Sequence, residues 1–313
     1  MSRPTDFFIV GAAKCGTTGL FRYLAAHPAV FMPENKEPNF FCSDICTFGA
    51  VETLGQYQAL FSAAPSQALT GEASVMYLFS KVAIARIMAY NARAKIIVML
   101  RHPIEAARSM HAYLLRHEQE NVADFEQAWG LQALRLDGQA LPPRWPYPET
   151  LQYGGLYVYA PQVRRVLEQV PRAQCLFLIS EEFFADPPLQ FARVLDFLGL
   201  PPDAARTTFP VVNQAVGVRS ALVARLLRHP PRSFAPVSQA LRSVSNALGV
   251  HPLRSLQRLN TVAGRKPALR QSFQLQLERY FSADVAELEQ LLGRALWHVS
   301  KESSSGNAPS TIP

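Results

Sequence analysis

A short apolar run, Phe7-Phe8-Ile9-Val10, stops at Gly11, and beyond the loop Gly11–Thr18 the apolar residues Leu20, Phe21 and Leu24 return at helical spacing. A run with no polar face must be covered on both sides, which a parallel sheet between helices provides. His27-Pro28 ends the helix, and Ala29–Met32 can form a short second strand. Lys95–Leu100 (Lys-Ile-Ile-Val-Met-Leu) and Cys175–Ile179 read as further buried strands. Helical patterns fall at Gln56–Ser62, Lys81–Tyr90, Glu105–Arg116, Tyr157–Gln169 and Pro188–Leu198, the last closed by Gly199. This alternation predicts an α/β fold, a parallel sheet flanked by helices. Residues 137–150 and 201–218 read as loop, 219–262 as basic helical patches, and Ser272–Leu292 as a final amphipathic helix. Residues 1–300 are expected to form a single domain, and 301–313 a disordered tail.

The loop between the first strand and helix is where such a sheet builds an anion site. Successive backbone N–H groups and a helix N-terminus point at the ligand there. The spacing of Gly11 and Gly16 is that of a nucleotide loop, G-x-x-x-x-G-K-[ST], so the fold is P-loop-like. Thr17 stands where that motif needs lysine, and the lysine has moved to Lys14. The pattern therefore fits an ATP or GTP site poorly. The hydroxyls of Thr17 and Thr18 remain able to bond phosphate or sulfate oxygens.

Charge narrows the partners without choosing one. The 313 residues carry 31 Lys and Arg against 24 Asp and Glu, a net charge of +7. That balance favours nucleotides, acidic glycans or other anions. Four cysteines (Cys15, Cys42, Cys46, Cys175) lack the spacing of a zinc site, and no metal cluster is visible. They read as thiols of a reducing compartment, with a Cys42–Cys46 bridge as the other reading. No stretch of 18 apolar residues occurs, so no membrane span is expected, and the protein is placed in the cytoplasm. Oligomeric state is left open.

A second signature lies in the middle of the chain. The strand Lys95–Leu100 runs into Arg101-His102-Pro103, and Ser109 follows Arg101 by eight residues on the next helix. Arginine offers a forked, permanently charged donor to phosphate. With Ala13-Lys14-Cys15-Gly16-Thr17-Thr18, this pair resembles the sulfotransferases that use 3′-phosphoadenosine 5′-phosphosulfate (PAPS). Their phosphosulfate loop reads approximately Pro-Lys-Ser-Gly-Thr-Thr. The resemblance implies that Lys14, Cys15, Gly16, Thr17 and Thr18 hold the 5′-phosphosulfate, with Lys14 assisting departure of the bridging oxygen. It implies that Arg101 and Ser109 hold the 3′-phosphate.

Lys36-Glu37-Pro38-Asn39-Phe40-Phe41 resembles the Lys-Glu-x-x-Phe-Phe segment of the glycan branch, the heparan sulfate N- and 3-O-sulfotransferases. There the glutamate is the base, so Glu37 is the candidate that takes the acceptor proton. Pro38 is expected to hold Glu37 extended, with Phe40 and Phe41 anchoring the segment. Lys36 and Glu72 are candidates for orienting substrate; Glu72, read in a turn before Tyr77, is equally a candidate for supporting Glu37. His102 and His111 fall where they would serve the cofactor, and His27 reads as a helix-end residue. Two late basic segments compete to close over the 3′-phosphate, one at Arg219 and one at Gly264-Arg265. The basic residues from Arg225 to Arg258 steer an acidic glycan, face an oligomer partner or are simply solvated.

The expected activity is sulfuryl transfer from PAPS to a hydroxyl or amine, on a carbohydrate or glycoconjugate, without nucleic acid and without a required metal. Small-molecule, lipid or peptide acceptors are the alternative. A P-loop kinase or NTPase, and a non-catalytic basic binding protein, are the rivals of other classes.

Overall fold

A computed structural model describes residues 3–45, 49–143, 145–201, 216–218, 261–263 and 268–297. The chain divides into two compact units, Met1–Thr208 with Gln271–Pro313, and Phe209–Arg270.

The larger unit opens with β1 (Phe7–Gly11) and α1 (Thr17–Ala25), as the apolar run and the helical spacing require. Then come β2 (Val30–Phe31), α2 (Leu54–Ala59), β3 (Leu69–Ala73), α3 (Ala83–Tyr90), β4 (Lys95–Leu100) and α4 (Pro103–Arg116). Short helices α5 (Phe125–Gly130) and α6 (Gln132–Leu136) precede α7 (Ala160–Gln169), β5 (Cys175–Ile179), α8 (Ser180–Ala185) and α9 (Pro187–Leu198). The smaller unit contributes β6 (Val216–Val218) and β7 (Thr261–Ala263), and α10 (Gln271–Leu292) returns to the larger one.

The five-stranded sheet has the order β2-β3-β1-β4-β5, and every described pair in it is parallel. Phe7, Phe8, Ile9 and Val10 are fully buried, because β1 is central and covered on both faces. Burial of such side chains stabilises by roughly 1.5–3 kcal/mol each. From β1 the chain builds β2 and β3 on one side, then crosses to β4 and β5 on the other. The reversal leaves a crevice at the carboxyl ends of the central strands, the usual ligand position in such sheets.

The structure differs from the sequence reading in three respects. Leu69–Ala73 is strand β3, paired to β1 with Phe7 opposite Gly71 and Ile9 opposite Ala73, where a turn was expected. Its Leu-Thr-Gly-Glu-Ala sequence lacks strand periodicity because the pairing is dictated from outside. A Cβ on Gly71 would sit 2.0 Å from the Phe7 ring and 2.6 Å from Met32 Sδ. Val216–Val218 is likewise a strand, antiparallel to Thr261–Ala263, where loop and helix were expected. That pairing joins residues over 40 positions apart, beyond the reach of local periodicity. Third, α5, α6 and α8 occupy stretches with no helical assignment from the sequence. A buried ion pair holds α6 in place: Arg135 donates Nη1 and Nη2 to Glu120, both at 2.7 Å, and Tyr153 Oη donates to the same carboxylate at 2.6 Å.

Candidate functional site

The loop between β1 and α1 is tied to the sheet and to α7. Ala12 N donates to Met99 O on β4 (2.7 Å), and Tyr157 Oη donates to Ala13 O (3.1 Å). Cys15 Sγ lies 3.4 Å from Tyr159 Oη. Lys14 and Gly16 adopt left-handed backbone, with φ of 62° and 91°. Glycine is needed at position 16 twice over, since a Cβ there would also meet the Phe184 ring at 2.4 Å. Thr17 is buried and Thr18 half-buried at the helix start, where the first N–H groups of α1 lack intrahelical partners. Burial pushes the Cys15 thiol up to about 12, so this cysteine shapes the loop and is no nucleophile.

Lys14 turns onto α4, with its Nζ 4.2 Å from the centre of the Tyr113 ring. Its pKa is pushed down to about 8, first by burial and then by Arg116, with Lys36 and Arg101 acting the same way and Glu37 opposing. The charges of Arg116, Lys36, Arg101 and Glu37 thus all act on the Lys14 ammonium. Ser109, Tyr113 and Arg116 are spaced i, i+4, i+7, so the face of α4 that meets Lys14 also carries Ser109. Arg101, at the end of β4, points back at the loop: its Nη1 is 3.5 Å from Lys14 O. Its contacts to Glu105 and Glu181 are loose, both at 3.9 Å.

The Lys36–Phe41 segment is bonded to the carboxyl end of β3. Lys36 Nζ donates to Glu37 Oε1 at 2.5 Å, so Lys36 here engages the candidate base itself. Glu37 is not extended as expected from Pro38; its φ is 66°, and Asn39 also has a left-handed φ of 52°. Three contacts hold this bend: Glu37 N donates to Ala73 O (3.0 Å), Asn39 Nδ2 to Glu37 O (3.0 Å), and Asn39 N to Ser74 Oγ (3.0 Å). Phe41 is buried against Phe8, Tyr57 and Tyr77, and Phe40 stacks on Tyr57, so the aromatic pair anchors the segment. Cys42 Sγ donates to Asn39 O.

Glu72 does not line the crevice. It sits on β3 with 0% exposure, so a direct contact with substrate gives way to a role beneath the segment. Its carboxylate accepts from Ser74 Oγ (2.6 Å), Tyr57 Oη (3.0 Å) and Tyr77 Oη (3.2 Å). Burial pushes its pKa up to about 7, against the opposing effect of these hydroxyls and of Lys36. His111 is a core residue: its Nε2 lies 2.9 Å from Val122 O and its ring packs on Phe125 and Tyr153, away from a cofactor role. His102 packs on Trp297, and burial pulls its pKa down despite Glu181 and Glu105. His27 follows α1, as expected, and its Nδ1 accepts from Ala29 N.

The crevice thus gathers Lys14, Lys36, Glu37 and Arg101, with Ser109 on the facing helix. Arg219, Gly264 and Arg265 lie outside the described residues, as do Cys46, the basic stretch from Arg225 to Arg258, and the 301–313 tail. The sequence reading missed Tyr113, Arg116, Tyr157 and Tyr159. Helical spacing from Ser109 was the available signal for the first two; the tyrosines gave none. Among the described residues, no three His, Cys, Asp or Glu come together as metal ligands, and no helix is long and apolar enough to cross a membrane.

Comparison with known proteins identifies the family and the fold. A family model described as "Sulfotransferase domain" matches residues 4–213. Human heparan sulfate glucosamine 3-O-sulfotransferase 3B1 is 29% identical over 192 residues, 61% of this chain and 45% of that protein. Human heparan sulfate glucosamine 3-O-sulfotransferase 6 is 30% identical over 192 residues, 61% of this chain and 51% of that protein. The chain spans about half the length of the curated relatives it matches. A sulfotransferase crystal structure from Alicyclobacillus acidocaldarius superposes with a TM-score of 0.70 at 26% identity, covering 95% of this chain and 98% of that one.

Proposed function

The chain belongs to the sulfotransferase domain family, and from that premise we propose that it transfers a sulfuryl group from PAPS to a hydroxyl or amine of a carbohydrate or glycoconjugate. The observation that carries this is the cationic cluster around Lys14 with Glu37 at its edge. Burial and three neighbouring cations press on Lys14, and Glu37 is the carboxylate that offsets them. Such a cluster is relieved by a polyanion, and a phosphosulfate with a second phosphate supplies one.

PAPS brings an activated sulfuryl group on a nucleotide leaving group. The backbone of Lys14–Thr18 and the start of α1 bind the anionic oxygens. Lys14 stabilises charge that develops on the departing oxygen, a task suited to a preorganised cation in a partly dry site. Arg101 and Ser109 bind the 3′-phosphate, and Arg219, or Gly264 with Arg265, closes over it. Glu37 takes the acceptor proton, and Lys36 stands beside it to meet substrate. A sugar acceptor is supported by the heparan sulfate relatives and by the Lys-Glu-x-x-Phe-Phe pattern; a small-molecule, lipid or peptide acceptor is the alternative. Residues 1–300 are taken as the sulfotransferase domain. The buried thiols Cys15 and Cys175 support the cytoplasm as its compartment.

Titration calorimetry with 3′-phosphoadenosine 5′-phosphate (PAP) and with ATP–Mg²⁺ tests the nucleotide. PAP binding without comparable ATP binding is expected, and the reverse overturns the reading. Glu37→Gln is expected to lower turnover by about 10²–10⁴-fold, the usual weight of a general base, with PAP affinity kept. Undiminished turnover removes Glu37 as the base.

A further inference from the structure

The Glu37–Phe41 segment carries two residues in left-handed backbone, Glu37 and Asn39, neither of them glycine. Such conformations are unfavourable for residues that carry a Cβ and persist only when the surroundings over-determine them. Two backbone N–H groups in the segment are held by hydroxyls from below. Asn39 N donates to Ser74 Oγ at 3.0 Å, and Phe41 N donates to Tyr77 Oη at 3.3 Å.

Each hydroxyl has one proton, and both protons go to the same place. Ser74 Oγ donates to Glu72 Oε1 at 2.6 Å, and Tyr77 Oη donates to Glu72 Oε2 at 3.2 Å. A third hydroxyl, Tyr57 Oη, donates to Oε2 at 3.0 Å, which leaves Thr5 Oγ1 as donor to Tyr57 across their 3.0 Å contact. Above about pH 7, where the Glu72 carboxylate is ionised, it accepts only, with room for all three donors. It therefore sets every hydroxyl in one orientation, with lone pairs free to receive the segment's amides. The charged and titratable groups around it are Tyr57 from α2, Tyr77 beyond β3, and Lys36 from the segment above.

We infer that Glu72 is a positioning residue for catalysis: through Ser74 and Tyr77 it fixes the backbone bend that aims Glu37 at the acceptor. This rests on Glu37 acting as the base, and it assigns Glu72 no contact with substrate. A displacement near 1 Å in a reacting group lowers turnover by about 100-fold.

The test uses the full chain in three variants, Glu72→Gln, Glu37→Gln and the pair together. Glutamine keeps the size of the side chain but brings an NH₂ that must itself donate, so the three hydroxyls no longer all point inward. Transfer from PAPS to a heparan-type oligosaccharide is measured alongside PAP affinity and amide hydrogen exchange at Asn39 and Phe41. For Glu72→Gln the expected results are a kcat loss of about 100-fold, PAP affinity within twofold, and faster exchange at both amides. The pair is expected to be no slower than Glu37→Gln alone, because two residues acting as one unit are non-additive. Unchanged exchange at Asn39 and Phe41, or losses that multiply in the pair, overturns the inference. Full activity of Glu37→Gln instead overturns the base assignment, while the exchange data still report on the Glu72 network. Should Glu72→Gln fail to fold, Ser74→Ala removes the acceptor for Asn39 N alone and must raise exchange there; if it does not, the inference fails.

Discussion

At the scale of single residues, Lys14 is the group whose chemistry is most set by its surroundings. Lysine ordinarily holds its proton to about 10.5; here burial, Arg116, Lys36 and Arg101 bring that to about 8. A bound polyanion favours the charged form, so binding takes up a proton wherever the free site has lost it. PAP affinity is therefore expected to be level up to about pH 8 and then to fall, by at most about tenfold per pH unit for one linked proton. Calorimetry between pH 7.5 and 9.5 in buffers of different ionisation enthalpy reads both the slope and the proton uptake. Lys14→Met should flatten the curve; a slope that survives this substitution assigns the titration to another group.

Among elements, the anion loop depends on a helix far along the chain. Tyr159 and Ala160 open α7 without a side-chain cap of their own. Their N–H groups donate to the two carboxylate oxygens of Asp284, both at 2.8 Å, and Asp284 belongs to α10. The same Tyr159 reaches Cys15, and Tyr157 reaches Ala13. The last helix thereby caps α7 and, through α7, supports the loop from beneath. Asp284→Ala leaves two buried donors unsatisfied and is expected to cost about 1–3 kcal/mol, with weaker PAP binding. Urea unfolding measures the first effect and calorimetry the second. An unshifted midpoint would mean that water replaces the cap.

For the whole molecule, the buried Glu72 couples stability to pH. Its folded pKa of about 7 lies above the 4.5 of a free glutamate, so the folded state binds the proton more tightly. Below pH 4.5 the group is neutral in both states. Between about 4.5 and about 7 the unfolded state releases the proton first, and stability falls as pH rises, by roughly 3 kcal/mol in all. Above pH 7 the contribution is constant. Thermal melts of Glu72→Gln are expected to lack this decline, whatever the substitution does to the absolute melting temperature. A decline of equal size in both proteins places its source elsewhere.

The chain order of β1, loop and α1, the buried runs of β4 and β5, and the spacing of Lys14, Arg101 and Ser109 were legible from sequence, because each rests on local periodicity or on a short motif. Glu37 was legible only as a residue type in a pattern; its left-handed bend was not, since Pro38 alone argued for extended backbone. β3 escaped because Gly71 answers to the Phe7 ring opposite it, and the β6–β7 pair escaped because its strands are distant in sequence. Glu72 shows the same division. Its identity was plain in the sequence, but its place beneath the Glu37 segment depends on β3 lying against β1 and on three hydroxyls, one from α2 and two from the stretch after β3, converging on one carboxylate. Local sequence determined which chemical groups the site holds. Tertiary pairing decided which of them meet, because burial and hydrogen-bond partners are properties of neighbours in space.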